Sequence, residues 1–159
     1  MSKIMTTYGQ ALSKAMALCS KSEKCISEIR QKLYDWDVEP ADKQKIIDYL
    51  VRERFIDENR YVSYYVRDKF KFNQWGKVKI GFMLKGKQLP PELIAEALNS
   101  IDEKDYIEQL ERMLTEKASK TKFADAYDRK AKLMRFAQSR GFEYEAIEIA
   151  IKKCDSRTL

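Results

Sequence analysis

The chain has 159 residues, enough for a domain with a hydrophobic core, and 35% of them are charged, with a net charge of +6. It contains no histidine, the commonest general base and metal ligand, and no glycine-rich phosphate-binding or serine-nucleophile motif. We therefore predict that the protein is not an enzyme and has no catalytic residue, metal or cofactor. Its 5 glycines and 3 prolines are few, which favours helices over strands.

The cysteines and the hydropathy of the sequence indicate the cellular compartment of the protein. The 3 cysteines, Cys19, Cys25 and Cys154, are odd in number and form no C-x-x-C pair, which predicts reduced thiols rather than disulfides or a zinc site. No apolar run approaches the ~20 residues of a membrane-spanning helix. We expect a cytoplasmic protein.

The first predicted element is a leading helix around residues 8–18. Beyond it, Ser20 and Glu23 have the spacing of a capping box, in which each side chain accepts a hydrogen bond from the other residue's backbone N–H. We expect the second helix to begin at this box.

A repeated pattern follows. The run Ile-Asp-Glu-x-x-Tyr occurs at residues 56–61 and again at 101–106. Before each run, and again near the C-terminus, apolar residues are spaced by four, five, five and four, with eight in place of the second five in the first set. A spacing of four keeps residues on one helix face and a spacing of five across a turn joins two helices, so the unit is helix, turn, helix. The three sets are Ile29, Leu33, Val38, Ile46 and Leu50; Ile80, Leu84, Leu89, Ile94 and Leu98; and Leu133, Ala137, Phe142, Ile147 and Ile151.

Turn-forming residues agree with this unit. Pro40 and the pair Pro90–Pro91 suit the first turn of the second helix in the first two copies. Gly141 is placed to end the first helix of the third copy in the left-handed conformation, and the equivalent positions are Asp37 and Gln88.

A third helix follows in the first two copies and begins at Asp57 and Asp102, which are both suitable N-caps. We predict an all-α fold, an elongated tandem array of three-helix repeats that are similar to helix-turn-helix units, preceded by the leading helix. The approximate repeats of this single chain, residues 1–159, are 20–66, 67–116 and 117–154.

The charge is segregated along the chain. Residues 67–90 contain seven basic side chains and one acidic, residues 117–140 contain eight and two, and residues 91–116 between them contain two and eight. The two basic blocks coincide with the first helix of the second and third copies. They predict either a broken basic stripe for a polyanion or ordinary solvated helix faces.

Aromatic residues are concentrated near the middle of the chain. Tyr61, Tyr65 and Phe72 share one helical face, which we expect to lie in the core. Trp75 precedes the helix that starts after Gly76, and is either an anchor for a partner or a local staple for the helix.

Taken together, these residues resemble the RecX family of bacterial recombination regulators, from about residue 8 to residue 152. The order and spacing of the matching pieces make the resemblance specific. These pieces are Ser27-Glu28-Ile29-Arg30-x-Lys32-Leu33; Ile56-Asp57-Glu58-x-Arg60-Tyr61 with Tyr65-Val66-Arg67; Gly76-x-x-x-Ile80 with Leu84; Ile94-x-x-Ala97-Leu98; and Arg140-Gly141-Phe142 with Ile147.

The resemblance implies tandem three-helix repeats and a function. RecX proteins bind the RecA recombinase, lie in the groove of its filament on DNA, and restrain ATP hydrolysis and strand exchange; some also bind DNA directly. Two departures concern the second repeat. Phe82-Met83 is apolar where the family usually has a polar residue before the leucine, and Lys87-Gln88 stands where Lys-Gly is usual.

Three functions remain open at this point. The leading one is a monomeric, non-enzymatic regulator of the RecA filament; the others are a helical module that binds single- or double-stranded DNA without RecA, and an α-helical scaffold for another protein. The residues predicted to contact the filament or DNA are Arg60, Arg67, Lys77, Lys79, Lys85, Lys87, Arg129 and Arg135.

Overall fold

The computed structural model describes residues 5–157; residues 1–4 and 158–159 of the predicted array lie outside it. The described chain forms nine helices and no strand, which confirms the all-α prediction. The leading helix is confirmed as α1. The helices are α1 Tyr8–Lys21, α2 Ile26–Asp35, α3 Pro40–Arg52, α4 Glu58–Lys71, α5 Lys77–Gly86, α6 Pro91–Asn99, α7 Glu103–Ser119, α8 Ala126–Ser139 and α9 Tyr144–Arg157.

The chain divides into two compact units. The first consists of the described residues up to Tyr65 together with Leu84–Leu93, and its helices α1, α2 and α3 pack on one another. The second consists of Val66–Met83 and the described residues from Ile94 onward, in which α7, α8 and α9 pack on one another. The three middle helices, α4, α5 and α6, contribute residues to both units.

The cores are built from the apolar positions that the repeat predicted. Of the three sets of five, all side chains are buried except Leu98, which is half-buried. The runs at 56–61 and 101–106 contribute their tyrosines: Tyr61 is 6% exposed and Tyr106 is 2% exposed. Removing these apolar surfaces from water is the main favourable term in folding, so the spacing of the apolar residues determines which helix faces turn inward.

One type of turn ends the first helix of each predicted copy. Asp37, Gln88 and Gly141 all have positive φ, of 57°, 62° and 90°. In each turn this residue's N–H and the next N–H donate back to carbonyls of the preceding helix, as Val38 N–H does to the Leu33 oxygen at 3.2 Å. The pattern is that of a Schellman motif, which satisfies the last carbonyls of the helix.

The N-terminal caps are partly as predicted. The side chains of Asp57 and Asp102 each accept a hydrogen bond from a backbone N–H in the first turn of their helices, so both caps are confirmed. The capping box at Ser20 is wrong, because α1 continues through that residue and its hydroxyl bonds the Met16 carbonyl. The helix that follows begins five residues later than predicted, with Cys25 as its N-cap and the Glu28 carboxylate accepting a hydrogen bond from the Cys25 N–H at 3.1 Å.

Candidate partner-binding surface

The start of α5 is held against the turn between α8 and α9. The Gly76 N–H donates to the Arg140 carbonyl at 2.8 Å, and the Val78 N–H donates to the Gly141 carbonyl at 2.9 Å. The backbones approach so closely because neither glycine has a Cβ. This contact determines where the cations on the first turn of α5 lie.

Two lysines lie close to the ring of Trp75, the residue two positions before α5. Lys79 Nζ lies 4.5 Å and Lys69 Nζ 5.0 Å from the ring centroid, both within the range of a cation–π interaction. Trp75 itself is half-buried, so part of its ring stays accessible. We call Lys69, Trp75 and Lys79 the Trp75 cluster.

The side chain of Tyr106 also holds the first turn of α5 in place. Its hydroxyl accepts a hydrogen bond from the Lys77 N–H at 2.9 Å and donates one to the Glu143 carboxylate. Its ring packs between Phe70 and Phe142, with centroid distances of 5.7 and 5.1 Å. Burial, followed by the hydrogen bond to Glu143, raises the pKa of Tyr106 far above its ordinary value, so the hydroxyl stays protonated.

The ammonium group of Lys77 is placed by this arrangement. Its Nζ lies 4.8 Å from the centroid of the Tyr106 ring, while its backbone N–H bonds the hydroxyl of the same residue. Lys77 and Lys79 are thus two predicted contact residues that the structure brings together on one helical turn, each against an aromatic ring.

The outer side of α5 is apolar and exposed. Val78 is 57% exposed, Phe82 74% and Met83 38%. Phe72 is 80% exposed, so the prediction that it lies in the core is wrong; α4 ends at Lys71, and the helical spacing no longer determines the direction of the next side chain.

The first unit has its own basic surface, an open groove along α2. We call it the α2 groove, and its lining includes the cations Lys24, Arg30, Lys32 and Lys87. One carboxylate, Glu28, also lines it and pairs with Lys87 at 3.3 Å. An anion that entered this groove would have to compete with Glu28 for Lys87.

Protonation of the Glu28 carboxylate, which lines this groove, is expected to lower the stability of the fold. Burial alone would raise its pKa, but hydrogen bonds from Cys25 and the charge of Lys87 outweigh burial and lower it. A lowered folded-state pKa contributes stability at neutral pH, and this contribution is lost as pH falls through that pKa. Between about pH 6 and pH 3 we expect wild type to lose up to about 1 kcal/mol more unfolding free energy than Glu28→Gln.

Urea unfolding at several pH values measures this difference. The matched control is Glu53→Gln, which removes a carboxylate whose side chain is 50% exposed. Because Glu53 is paired with Arg52 only at the protein surface, its removal should change stability by less than about 0.5 kcal/mol at neutral pH. A Glu28→Gln curve that runs parallel to that of wild type would mean that the assignment of Glu28 as an acid-sensitive group is wrong.

Other predicted contact residues are engaged in ion pairs. Arg60 pairs with Glu23 and Asp57, and Arg129 pairs with Asp155 at 2.7 Å. Two neighbours on α8 are also paired, Lys130 with Glu148 at 3.2 Å and Lys132 with Asp128 at 3.1 Å. The three remaining predicted residues are exposed on α4, α5 and α8: Arg67, Lys85 and Arg135.

Sequence reasoning missed Lys69 and three of the four cations of the α2 groove, Lys24, Arg30 and Lys32; it included the fourth, Lys87. Lys69 is six residues before Trp75, a spacing that does not place two residues on one helix face. The chain turns back at Gln74, which has a φ of 57°, so that the Trp75 N–H donates to the Lys69 carbonyl at 3.0 Å. A signal was present in the alternation of lysine and phenylalanine from Lys69 to Phe72, shortly before Trp75.

Within residues 5–157, no three or more cysteine, aspartate or glutamate side chains are grouped so that they could hold a metal ion. Within the same range, no helix has both the length and the apolar character needed to cross a membrane.

The fold and this surface define an all-α protein of successive three-helix domains with cations placed against aromatic rings. Two family models match it: "RecX, second three-helix domain" at residues 57–98 and "RecX, third three-helix domain" at residues 103–151, together more than half of the chain. The chain belongs to the RecX family. The matched ranges group α4 to α6 and α7 to α9 as domains.

Curated relatives and solved structures agree with this assignment. "Regulatory protein RecX" of Clostridium acetobutylicum is 28% identical over 150 residues, which cover 92% of this chain and 69% of that protein. The protein of that name from Clostridium botulinum is 29% identical over 141 residues, 87% of this chain and 66% of the relative. The chain therefore spans about two thirds of the length of these relatives.

The solved structures show the same fold. The crystal structure of RecX from Lactobacillus salivarius superposes with a TM-score of 0.86 at 20% identity, over 93% of this chain and 96% of that one. A second crystal structure, of regulatory protein RecX, gives 0.84 at 20% identity, over 91% and 73%. The predicted fold of tandem three-helix domains is thereby confirmed.

Proposed function

We propose that this protein is a non-enzymatic regulator that binds the RecA nucleoprotein filament and inhibits RecA's ATPase and strand-exchange activities in recombination and DNA repair. Membership of the RecX family is the observation that carries this proposal. A monomer in the cytoplasm that contacts RecA, and DNA directly or through RecA, belongs to the same proposal.

The Trp75 cluster is the part of the surface best suited to such a partner. Between Asp68 and Glu92 the chain has no carboxylate, so Lys77 and Lys79 lie at least nine residues from the nearest acidic residue in sequence. A positive surface attracts both the phosphates of DNA and acidic protein surfaces. Among the predicted contacts, Lys77 and Lys79 are favoured over Arg60, Lys87 and Arg129, because those three are engaged with carboxylates of this chain.

Reversing the charge of the Trp75 cluster tests the proposal. We expect wild type to lower RecA's single-stranded-DNA-dependent ATPase rate at well below one molecule per RecA, using RecA of the same organism. For Lys69→Glu/Lys79→Glu we expect the concentration for half-maximal inhibition to rise by about tenfold or more, since a like-charge contact replaces an attractive one. Titration of each protein into the ATPase assay measures this.

A matched control changes charge equally elsewhere. Lys45→Glu/Lys153→Glu reverses two exposed lysines on α3 and α9. Its concentration for half-maximal inhibition should stay within about twofold of that of wild type. Absence of inhibition by wild type up to equimolar amounts would refute the regulatory proposal, and equal losses in both double variants would show that net charge alone acts, without a defined surface.

A second candidate is a DNA-binding module that acts without RecA. The half-buried Trp75, with two lysines within 5.0 Å of its ring centroid, favours it, because single strands bind to surfaces that combine stacking with cations. This function requires binding to DNA alone, with an affinity that falls about tenfold or more between 50 and 200 mM salt when several phosphates are contacted. Such binding without any effect on the ATPase would favour this candidate over the first.

A further inference from the structure

Helix α5 is apolar on two opposite sides. On its inner side, Ile80 and Leu84 have no exposed surface. On its outer side, Val78 and Phe82 are four residues apart, and therefore on one face, and are 57% and 74% exposed. Large apolar side chains that are exposed together on one face of a helix have the composition of a surface that is covered in an assembly.

The charges along this stretch of the chain have a single sign. Lys77 and Lys79 lie on the same turn as Val78, and no carboxylate occurs between Asp68 and Glu92. A partner surface that covered Val78 and Phe82 would bring its own rim, the residues at the edge of the contact, close to these lysines. Acidic residues on that rim would be complementary to them, whereas basic residues would be repelled.

We propose that the outer face of α5, formed by Val78 and Phe82 and bordered by Lys77 and Lys79, docks an acidic, amphipathic segment of a RecA subunit in the filament. This inference rests on the proposed function and names the part of the partner that this face recognises. Apolar side chains of the segment cover Val78 and Phe82, and its carboxylates lie beside Lys77 and Lys79.

Two other occupants fit the face less well. Single-stranded DNA could stack a base on Phe82, but the aliphatic side chain of Val78 offers no stacking surface and gains most from apolar burial. A second copy of this chain would bring the same lysines against each other, with no carboxylate from Lys69 to Pro91 to offset the repulsion.

The test measures the affinity of the full chain for RecA assembled on single-stranded DNA, by fluorescence anisotropy of labelled protein. Val78→Gln/Phe82→Gln removes the apolar face and keeps every charge. We expect its Kd to rise by about tenfold or more, equivalent to about 1.4 kcal/mol. Its affinity for DNA alone should be unchanged, and its thermal unfolding should match wild type because both side chains are exposed.

The matched control is Tyr127→Gln/Ile149→Gln, which removes two exposed apolar side chains, 85% and 44% exposed, from α8 and α9. Its Kd should stay within about twofold of wild type. Equal binding by the α5 variant and wild type would overturn the inference. A parallel loss of binding to DNA alone would assign the face to nucleic acid, and loss of a wild-type dimer in sedimentation would assign it to a second copy; either result also overturns it.

The ATPase assay separates this inference from the proposed function. Filament binding that depends on Val78 and Phe82 but leaves the ATPase rate unchanged would refute the regulatory function and keep the docking face. Inhibition that the α5 variant retains in full would keep the regulatory function and refute the docking face. If wild type did not bind the filament, both would be wrong.

Discussion

Replacing Gly141 with alanine is expected to lower the free energy of unfolding of the second unit by about 3 kcal/mol or more. The residue has a φ of +90°, a conformation that alanine adopts only with strain. An added Cβ would also lie 2.6 Å from the backbone nitrogen of Lys79 and 2.9 Å from its Cα, closer than a Cβ comes to non-bonded atoms in proteins. Strain and overpacking each cost on the order of 1–3 kcal/mol. Urea unfolding followed by circular dichroism measures the loss.

Gly76→Ala should have a comparable effect, because its Cβ would lie 2.5 Å from the Gly141 carbonyl carbon. The matched control is Gly86→Ala at the end of α5, where an added Cβ meets no atom within 4 Å. Alanine is the better helix former by about 1 kcal/mol, so this control should be neutral or more stable. Equal stability of Gly141→Ala and Gly86→Ala would mean that the close contact between α5 and the α8–α9 turn does not form.

Truncation of Tyr106 is expected to have the other large effect. Its ring is 2% exposed and packs on Phe70 and Phe142, and removal of a large buried aromatic side chain costs about 3–5 kcal/mol. We therefore expect Tyr106→Ala to lower the unfolding free energy by that amount. Tyr106→Phe keeps the ring but leaves the Lys77 N–H and Glu143 without the hydroxyl, so about 1–3 kcal/mol should be lost.

A surface tyrosine provides the control for the hydroxyl. Tyr144 is 55% exposed, and its hydroxyl interacts with Glu148. Water can replace that contact, so Tyr144→Phe should change stability by less than about 0.5 kcal/mol. If Tyr106→Phe were as mild as Tyr144→Phe, the hydroxyl would not be what holds the start of α5. Thermal and urea unfolding of the two phenylalanine variants, measured side by side, decide between these outcomes.

The substitutions of Gly141 and Tyr106 should also affect the candidate partner-binding surface, because both residues hold α5 in position. Gly141 and Tyr106 each bond or contact its first turn, which carries Lys77, Val78 and Lys79. A variant that displaces this turn should weaken partner binding even though neither residue is exposed at the surface. For this reason, the variants that test function change side chains that are exposed or half-buried, and none that is buried.

Much of the fold could be predicted from local patterns. Apolar residues four apart share a helix face wherever the helix lies, so the buried sets from Ile29 to Ile151 were predictable. Turns are also local: Pro40 begins α3, Asp102 caps α7 and Gly141 has positive φ, because each of these preferences is a property of the residue and its immediate neighbours. Competing local signals caused the error at Ser20, where α1 continued because Cys25 and Glu28 provide a second cap.

The candidate surface was predictable only in part. The sequence by itself determined that the stretch around α5 is basic and apolar, since composition and charge do not depend on the fold. Only the tertiary structure decided that Lys69 and Lys79 meet at Trp75, that Arg129 is paired with Asp155, and that Phe82 is exposed. Helical spacing specifies which residues share a face, but whether a face is buried or a charge is neutralised depends on residues distant in sequence, which only packing brings within a few ångströms.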